Sequence, residues 1–182
     1  MVGQQWFEKV GLIAQHFEQC EYYLAVIFDA LCESDNGAPF AAFGHIVSSN
    51  TRLAMVKEAA IFAFPRKAAL RCRLGELCEE FKQCQTLRNR SVHASLLPEF
   101  TPDGVAWHGR PLWHQSMRYK NGAVKPASRF TFEDLCDAEF RTLCLALDMK
   151  AHCAELVEFL AMRKSRRARS KMPRSDSPRE CR

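Results

Sequence analysis

Eight apolar side chains, Trp6, Val10, Ile13, Phe17, Cys20, Leu24, Ile27 and Leu31, recur at intervals of four, three, four, three, four, three and four residues. Alternation of three and four matches the α-helical turn, so these side chains line one face of a long amphipathic helix. Such a helix must bury its stripe against another element. Two further segments offer one. Leu70, Leu74, Leu77, Phe81, Cys84 and Leu87 predict a helix beginning near Arg66. Leu135, Ala138, Thr142, Leu145, Met149, Cys153, Leu156 and Leu160 predict another, opened by Thr131 as a cap three residues before Asp134.

The turn formers SDNGAP predict the end of the first helix around Glu33 to Pro39. After a less regular region, SSNTRLAMVKEAAIFAFP offers Ser49, Asn50 and Thr51 as caps for a short helix that Pro65 stops. Nothing reads as a doubly wound sheet or a glycine-rich phosphate loop. The fold class that follows is all-α, an antiparallel helical bundle with a small polar loop or β-hairpin inserted before the last long helix. The hairpin alternative rests on Asn121-Gly122, flanked by RYK and AVK within residues 98 to 130. A chain of 182 residues is long enough for one such core.

Charge divides the chain at its end. Residues 163 to 182 hold nine Lys or Arg against Asp176 and Glu180, a net of +7, whereas the preceding 162 residues carry a net of −2. The expected organisation is therefore a bundle over residues 1–162 and a basic, disordered tail over 163–182. Arg163, Lys164, Arg166, Arg167 and Arg169 become candidate contacts for a polyanion such as RNA. There is no apolar run of membrane-spanning length, and the first residues lack the pattern of a signal peptide, which together predict a cytoplasmic protein without a membrane partner. Nine cysteines without a CxxC spacing predict free, buried thiols rather than disulfides or a metal site, and no cofactor is expected. Thirteen phenylalanines exceed what a small bundle needs for its interior and point to a surface shared with a partner.

The third helix runs directly into LRNRSVHA, residues 87–94. Arginine presents a fork of donors that matches phosphate oxygens, histidine exchanges a proton near neutrality, and asparagine can orient either. RNA brings its own nucleophile, the 2′-hydroxyl, so Arg88 and His93 suffice in principle for its cleavage without metal. The same residues also suit a simple anion contact, or a solvated helix end favoured by the helix dipole. Positions five apart diverge by about 140° on a helix. Convergence of Arg88 and His93 therefore needs either a break in the helix or a second copy of the chain. Trp107 with His108, and Trp113 with His114, suggest either a base-stacking platform or aromatic anchors for the insertion.

The string Arg88-Asn89-Arg90-Ser91-Val92-His93, preceded by an apolar helix, resembles the R-x4-H motif of HEPN domains. That family consists of helical bundles that commonly form homodimers, and many members are metal-independent endoribonucleases of toxin–antitoxin, defence and RNA-processing systems. The resemblance implies that Arg88 and His93 are the catalytic pair, Asn89 the polar position beside the arginine, and Arg90, Ser91 and Val92 the variable interior; Arg90, as a basic residue of that interior, is a further candidate RNA contact. It implies cleavage to a 2′,3′-cyclic phosphate, a homodimer and, in toxin systems, a cognate antitoxin. Toxin members controlled by nucleotidyl transfer carry a tyrosine two residues after the histidine; Ser95 stands there in this chain. The alternatives are a non-catalytic RNA or nucleotide binding module and a partner-binding regulatory protein.

Overall fold

The computed structural model describes residues 2–34, 36–102, 104–111, 118–120, 123–125 and 129–170. Helices α1 (Val2–Leu31), α2 (Ala38–Gly44), α3 (Ser49–Ala63), α4 (Ala68–Val92) and α5 (Phe132–Ser170) form an all-α bundle. Strands β1 (Ala94–Thr101), β2 (Gly104–Pro111), β3 (Arg118–Lys120) and β4 (Ala123–Lys125) form two open antiparallel hairpins inserted before α5.

The stripes are buried as their spacing requires. In α1 every stripe member except the half-buried Val10 is interior, and in α5 the whole series from Leu135 to Leu160 is interior. Thr142 is tolerated in the α5 stripe because its hydroxyl donates to the Ala138 carbonyl at 2.7 Å, leaving no unsatisfied donor. Phe17 and Phe81 meet at 4.8 Å between ring centroids and join α1 to α4 near mid-bundle. Each such fully buried ring contributes on the order of 1.5–3 kcal/mol through removal of apolar surface from water.

Cross-helix pairs give the directions. Trp6 packs on Phe130 and Phe132, Lys9 pairs with Glu139 at 2.7 Å, and Glu33 lies 3.4 Å from Arg163, so α1 and α5 run side by side in the same direction. Ser49 accepts from Gln85 at 2.6 Å and Lys57 pairs with Glu79, so α3 opposes α4. Arg141 donates to Gln83 and Arg73 reaches Asp148, so α4 also opposes α5. The antiparallel relation is thus centred on α4. The last turn of α4, the first turn of α5 and the N-terminal turns of α1 share one end of the bundle, where Trp6, Ile13, Phe130, Leu135 and Ala138 form a small second core.

Several local expectations are refined. The cap of α3 is Ser48, whose hydroxyl accepts from the Thr51 amide, rather than Ser49, Asn50 or Thr51. The seven-residue α2 lies within the region expected to be irregular. Thr131 and Asp134 cap α5 reciprocally, at 2.7 and 3.1 Å. Helix α5 continues to Ser170, so disorder does not begin at Arg163: Arg163 donates to the Ala63 carbonyl at 2.6 Å, and the residues beyond it are mostly good helix formers. Residues 171–182 lie outside the described residues. Strands β3 and β4 are the RYK and AVK segments paired as Asn121-Gly122 suggested, although those two turn residues are themselves outside the described set. Among the described cysteines all are free; Cys20, Cys78, Cys84 and Cys153 are buried as expected, while Cys32, Cys72 and Cys144 are exposed. Burial pushes the Cys20 thiol up to about 12 and Cys78 to about 11, so both remain protonated and unreactive in the fold.

Two outcomes test this packing. Phe81→Ala should lower unfolding free energy by about 3–5 kcal/mol in urea titrations, since its ring occupies the α1–α4 contact. His152 is only 6% exposed, and burial, opposed by Glu155 and reinforced by Arg73, holds its pKa below the ordinary 6.5. The unfolded chain therefore takes up this proton first, and stability should be full above pH 6.5 and decline as pH falls toward the lower folded-state value. Urea titrations at about pH 7.5 and about pH 5.5 should show a smaller loss for His152→Leu than for the unsubstituted chain; equal losses would exclude this linkage.

Candidate functional site

Arg88 directly follows Leu87, the last apolar residue of the α4 stripe. An apolar stripe that ends in a guanidinium places a charge at the edge of the core. There the Arg88 carbon Cζ lies 5.9 Å from the centre of the Phe17 ring, and Nη1 donates to Asn89 Oδ1 at 2.9 Å. Its Nε is buried and has no hydrogen-bond partner among the described residues. The aromatic ring and the neighbouring amide hold the guanidinium in place. Asn89 thus orients Arg88 in the single chain.

Helix α4 is unbroken through Val92, and His93 forms its C-cap, the backbone N–H of His93 donating to the Asn89 carbonyl at 3.3 Å. The imidazole is partly exposed. Because the helix does not break between Arg88 and His93, the two side chains leave it about 140° apart. Within one chain they are neighbours at the same helix end rather than a converged pair. Asn89 and His93, four apart, share the side of α4 that faces α3 lower in the bundle. Among the described residues, α3 reaches along that side only as far as Gln85.

Arg90 has a different task. Its Nη2 donates to the Arg129 carbonyl at 2.9 Å and its guanidinium lies 5.1 Å over the Phe130 ring. Phe130 in turn exchanges backbone hydrogen bonds with Gly109 of β2 at 2.8 and 3.0 Å. A methyl group at Gly109 would run into the Phe130 ring, which is why glycine is required here. Arg90 therefore ties the end of α4 to the root of the β1–β2 hairpin.

The basic residues beyond the bundle stand elsewhere. Arg163 is engaged by Ala63 and Glu33, and Lys164 and Arg166 follow it as exposed residues of α5. Arg167 and Arg169 belong to the same helix. About 46 Å of α5 separates Phe132 from Arg163. One chain does not bring these five residues together with Arg88, Asn89, Arg90 and His93. Of the aromatic–histidine pairs, His108 is buried with Nδ1 3.6 Å from Glu99, Trp107 is partly exposed, and Trp113 and His114 lie outside the described residues. Arg71, Arg73 and Lys82 bond to Pro65, Glu76 with Asp148, and Glu79.

The β1–β2 hairpin, paired from Ala94↔Pro111 to Thr101↔Gly104, was not anticipated. Its signal was Pro102-Asp103-Gly104, a turn sequence between the two strands, with Gly104 at φ 134°. Among the described residues no helix is long and apolar enough to cross a membrane, and no group of three or more His, Cys, Asp or Glu is placed to hold a metal. No protein-family model, curated protein or solved structure matches the chain.

Arg90→Ala should loosen the hairpin root without unfolding the bundle. Loss of one hydrogen bond and its ring contact, about 1–1.5 kcal/mol, predicts roughly tenfold faster amide exchange at Gly109 and Phe130, with Ile27 and Leu24 unchanged. Hydrogen-exchange mass spectrometry reads both sites.

Proposed function

We propose that this chain is a metal-independent endoribonuclease of the HEPN kind, acting as a homodimer in which Arg88 and His93 of two copies face one cleft. The observation that carries the reading is Arg88 itself. It follows the end of the α4 stripe, is braced by Asn89 and Phe17, and lies about one turn from a partly exposed histidine. Phe7 of α1, 73% exposed near the same end of the bundle, offers an apolar side chain to a second copy.

In the cleavage step, one His93 removes the proton of the 2′-hydroxyl, whose oxygen attacks the adjacent phosphorus. The bond from phosphorus to the 5′-oxygen breaks, and the imidazolium of the other copy returns a proton to that oxygen. Products are a 2′,3′-cyclic phosphate and a 5′-hydroxyl. Arg88 stabilises the charge gathering on the non-bridging oxygens, and Asn89 keeps it aimed.

A second reading follows from the divergence of Arg88 and His93 within one chain: a monomer would grip an RNA phosphate through Arg88 without cleaving it. Cleavage of single-stranded and transfer RNA in EDTA separates the two. His93→Ala should lower the rate by at least about 100-fold, and Arg88→Ala by about 100-fold or more. Mass spectrometry should find cyclic phosphate ends. Absence of EDTA-resistant cleavage would leave only the binding reading, and full activity in His93→Ala would remove His93 from the reaction and overturn the proposed site.

A further inference from the structure

Alternation along a strand sends Leu96, Pro98 and Phe100 of β1 to one face of the first hairpin together with their partners Gly109, Trp107 and Val105 of β2. The opposite face holds Glu99, which pairs with Arg129 at 2.8 Å and lies 3.6 Å from His108. The ribbon is therefore amphipathic, with one apolar face and one polar face. Only the root of the apolar face is covered: Leu96 packs against the Trp6 cluster, and Gly109 lies under Phe130. Beyond the root, Phe100 is 83%, Val105 50% and Trp107 38% exposed, and Pro98 is exposed beside them. The apolar face is longer than the core that receives it.

Charge says what class of molecule fits. Residues 88–130 contain seven Lys or Arg (Arg88, Arg90, Arg110, Arg118, Lys120, Lys125 and Arg129) against Glu99 and Asp103, a net of +5. With the C-terminal twenty residues at +7, the rest of the chain is left at −7. An exposed aromatic face within the basic section of an otherwise acidic bundle suits a partner that is polyanionic and carries flat apolar rings. Unpaired nucleic-acid bases meet both conditions at every residue of the strand; a duplex hides its rings, and an acidic peptide has one only where it carries an aromatic side chain. Strand β1 starts directly after His93, and Pro98 and Phe100 stand about 17 and 23 Å from His93 along the strand.

We infer that the distal face of the β1–β2 hairpin is a stacking platform for single-stranded RNA, with Phe100 and Trp107 taking bases several nucleotides away from the phosphate held at Arg88 and His93. The position of that phosphate rests on the proposed function; the platform itself does not. Single-stranded substrates are then selected over duplexes by the hairpin, not by the reacting groups.

The test is fluorescence anisotropy with a single-stranded RNA of about 12 nucleotides, using full-length protein carrying His93→Ala so that substrate is not consumed. Phe100→Ala and Trp107→Ala should each weaken binding about tenfold while leaving the salt dependence unaltered. With both aromatics in place, an abasic oligomer of equal length should bind about as weakly as natural RNA binds the double variant, a comparison that does not depend on the variants folding. Equal affinity for abasic and natural RNA, or unchanged affinity in both variants, would overturn the platform. A change of molecular mass in light scattering on Phe100→Ala, with RNA affinity retained, would assign the face to a protein interface and overturn it as well. Binding that depends on Phe100 and Trp107 in a protein that never cleaves RNA would uphold the platform and remove the nuclease reading. Cleavage indifferent to both residues would do the reverse.

Discussion

Burial of the α1 stripe against the α5 stripe, with the two helices running in the same direction, is the constraint from which the remaining geometry follows. Parallel neighbours cannot be joined by a short turn, so the chain must travel back through another element. Helix α4 supplies that return, packing Phe81 on Phe17 and ending beside the N-termini of both long helices. Trp6, Phe130 and Phe132 meet there, and the same cluster receives Leu87, Ala94 and Leu96. The motif at the end of α4, the root of the first hairpin and the first turn of α5 are thereby gathered into one region. A bundle with α1 and α5 opposed would have separated Arg88 from Trp6 by the length of a helix.

Electrostatics follows the same layout. The polar residue in the α5 stripe is satisfied by its own helix backbone, as Thr142 shows, and the ion pairs Lys9–Glu139, Arg52–Glu21 and Lys57–Glu79 are partly exposed and join neighbouring helices. At the end of α4, Arg88 and Arg90 each rest on an aromatic face, Phe17 and Phe130. Arg90, two residues on, faces another way and serves the hairpin.

The long helices were legible because a stripe with alternating three and four spacing is a local property, preserved whatever the partner. The polar cluster was legible as residue types, and the cap at Thr131 as a short motif. The hairpin at residues 94–111 was hidden for physical reasons. Pro98 interrupts β1, and the distal apolar face is exposed, so the strand lacks a core to give its pattern meaning. Helix α2 was missed because seven residues hold too few turns for a periodicity to emerge. The basic residues from 163 onward were expected to be disordered by composition; helix continuation from a docked Arg163 overrode it up to Ser170.

By itself the sequence determined that three long stripes must be buried together, that the chain carries its positive charge in particular segments, and that an arginine, an asparagine and a histidine fall within one and a half turns. These depend only on covalent order and the 3.6-residue period. Tertiary structure alone decided that α1 and α5 are parallel, that Arg88 rests on Phe17 while Arg90 anchors Phe130, and that Arg163 stands at the far end of the bundle. Such facts depend on which stripe meets which, and side chains distant in sequence have no local pattern that records their meeting.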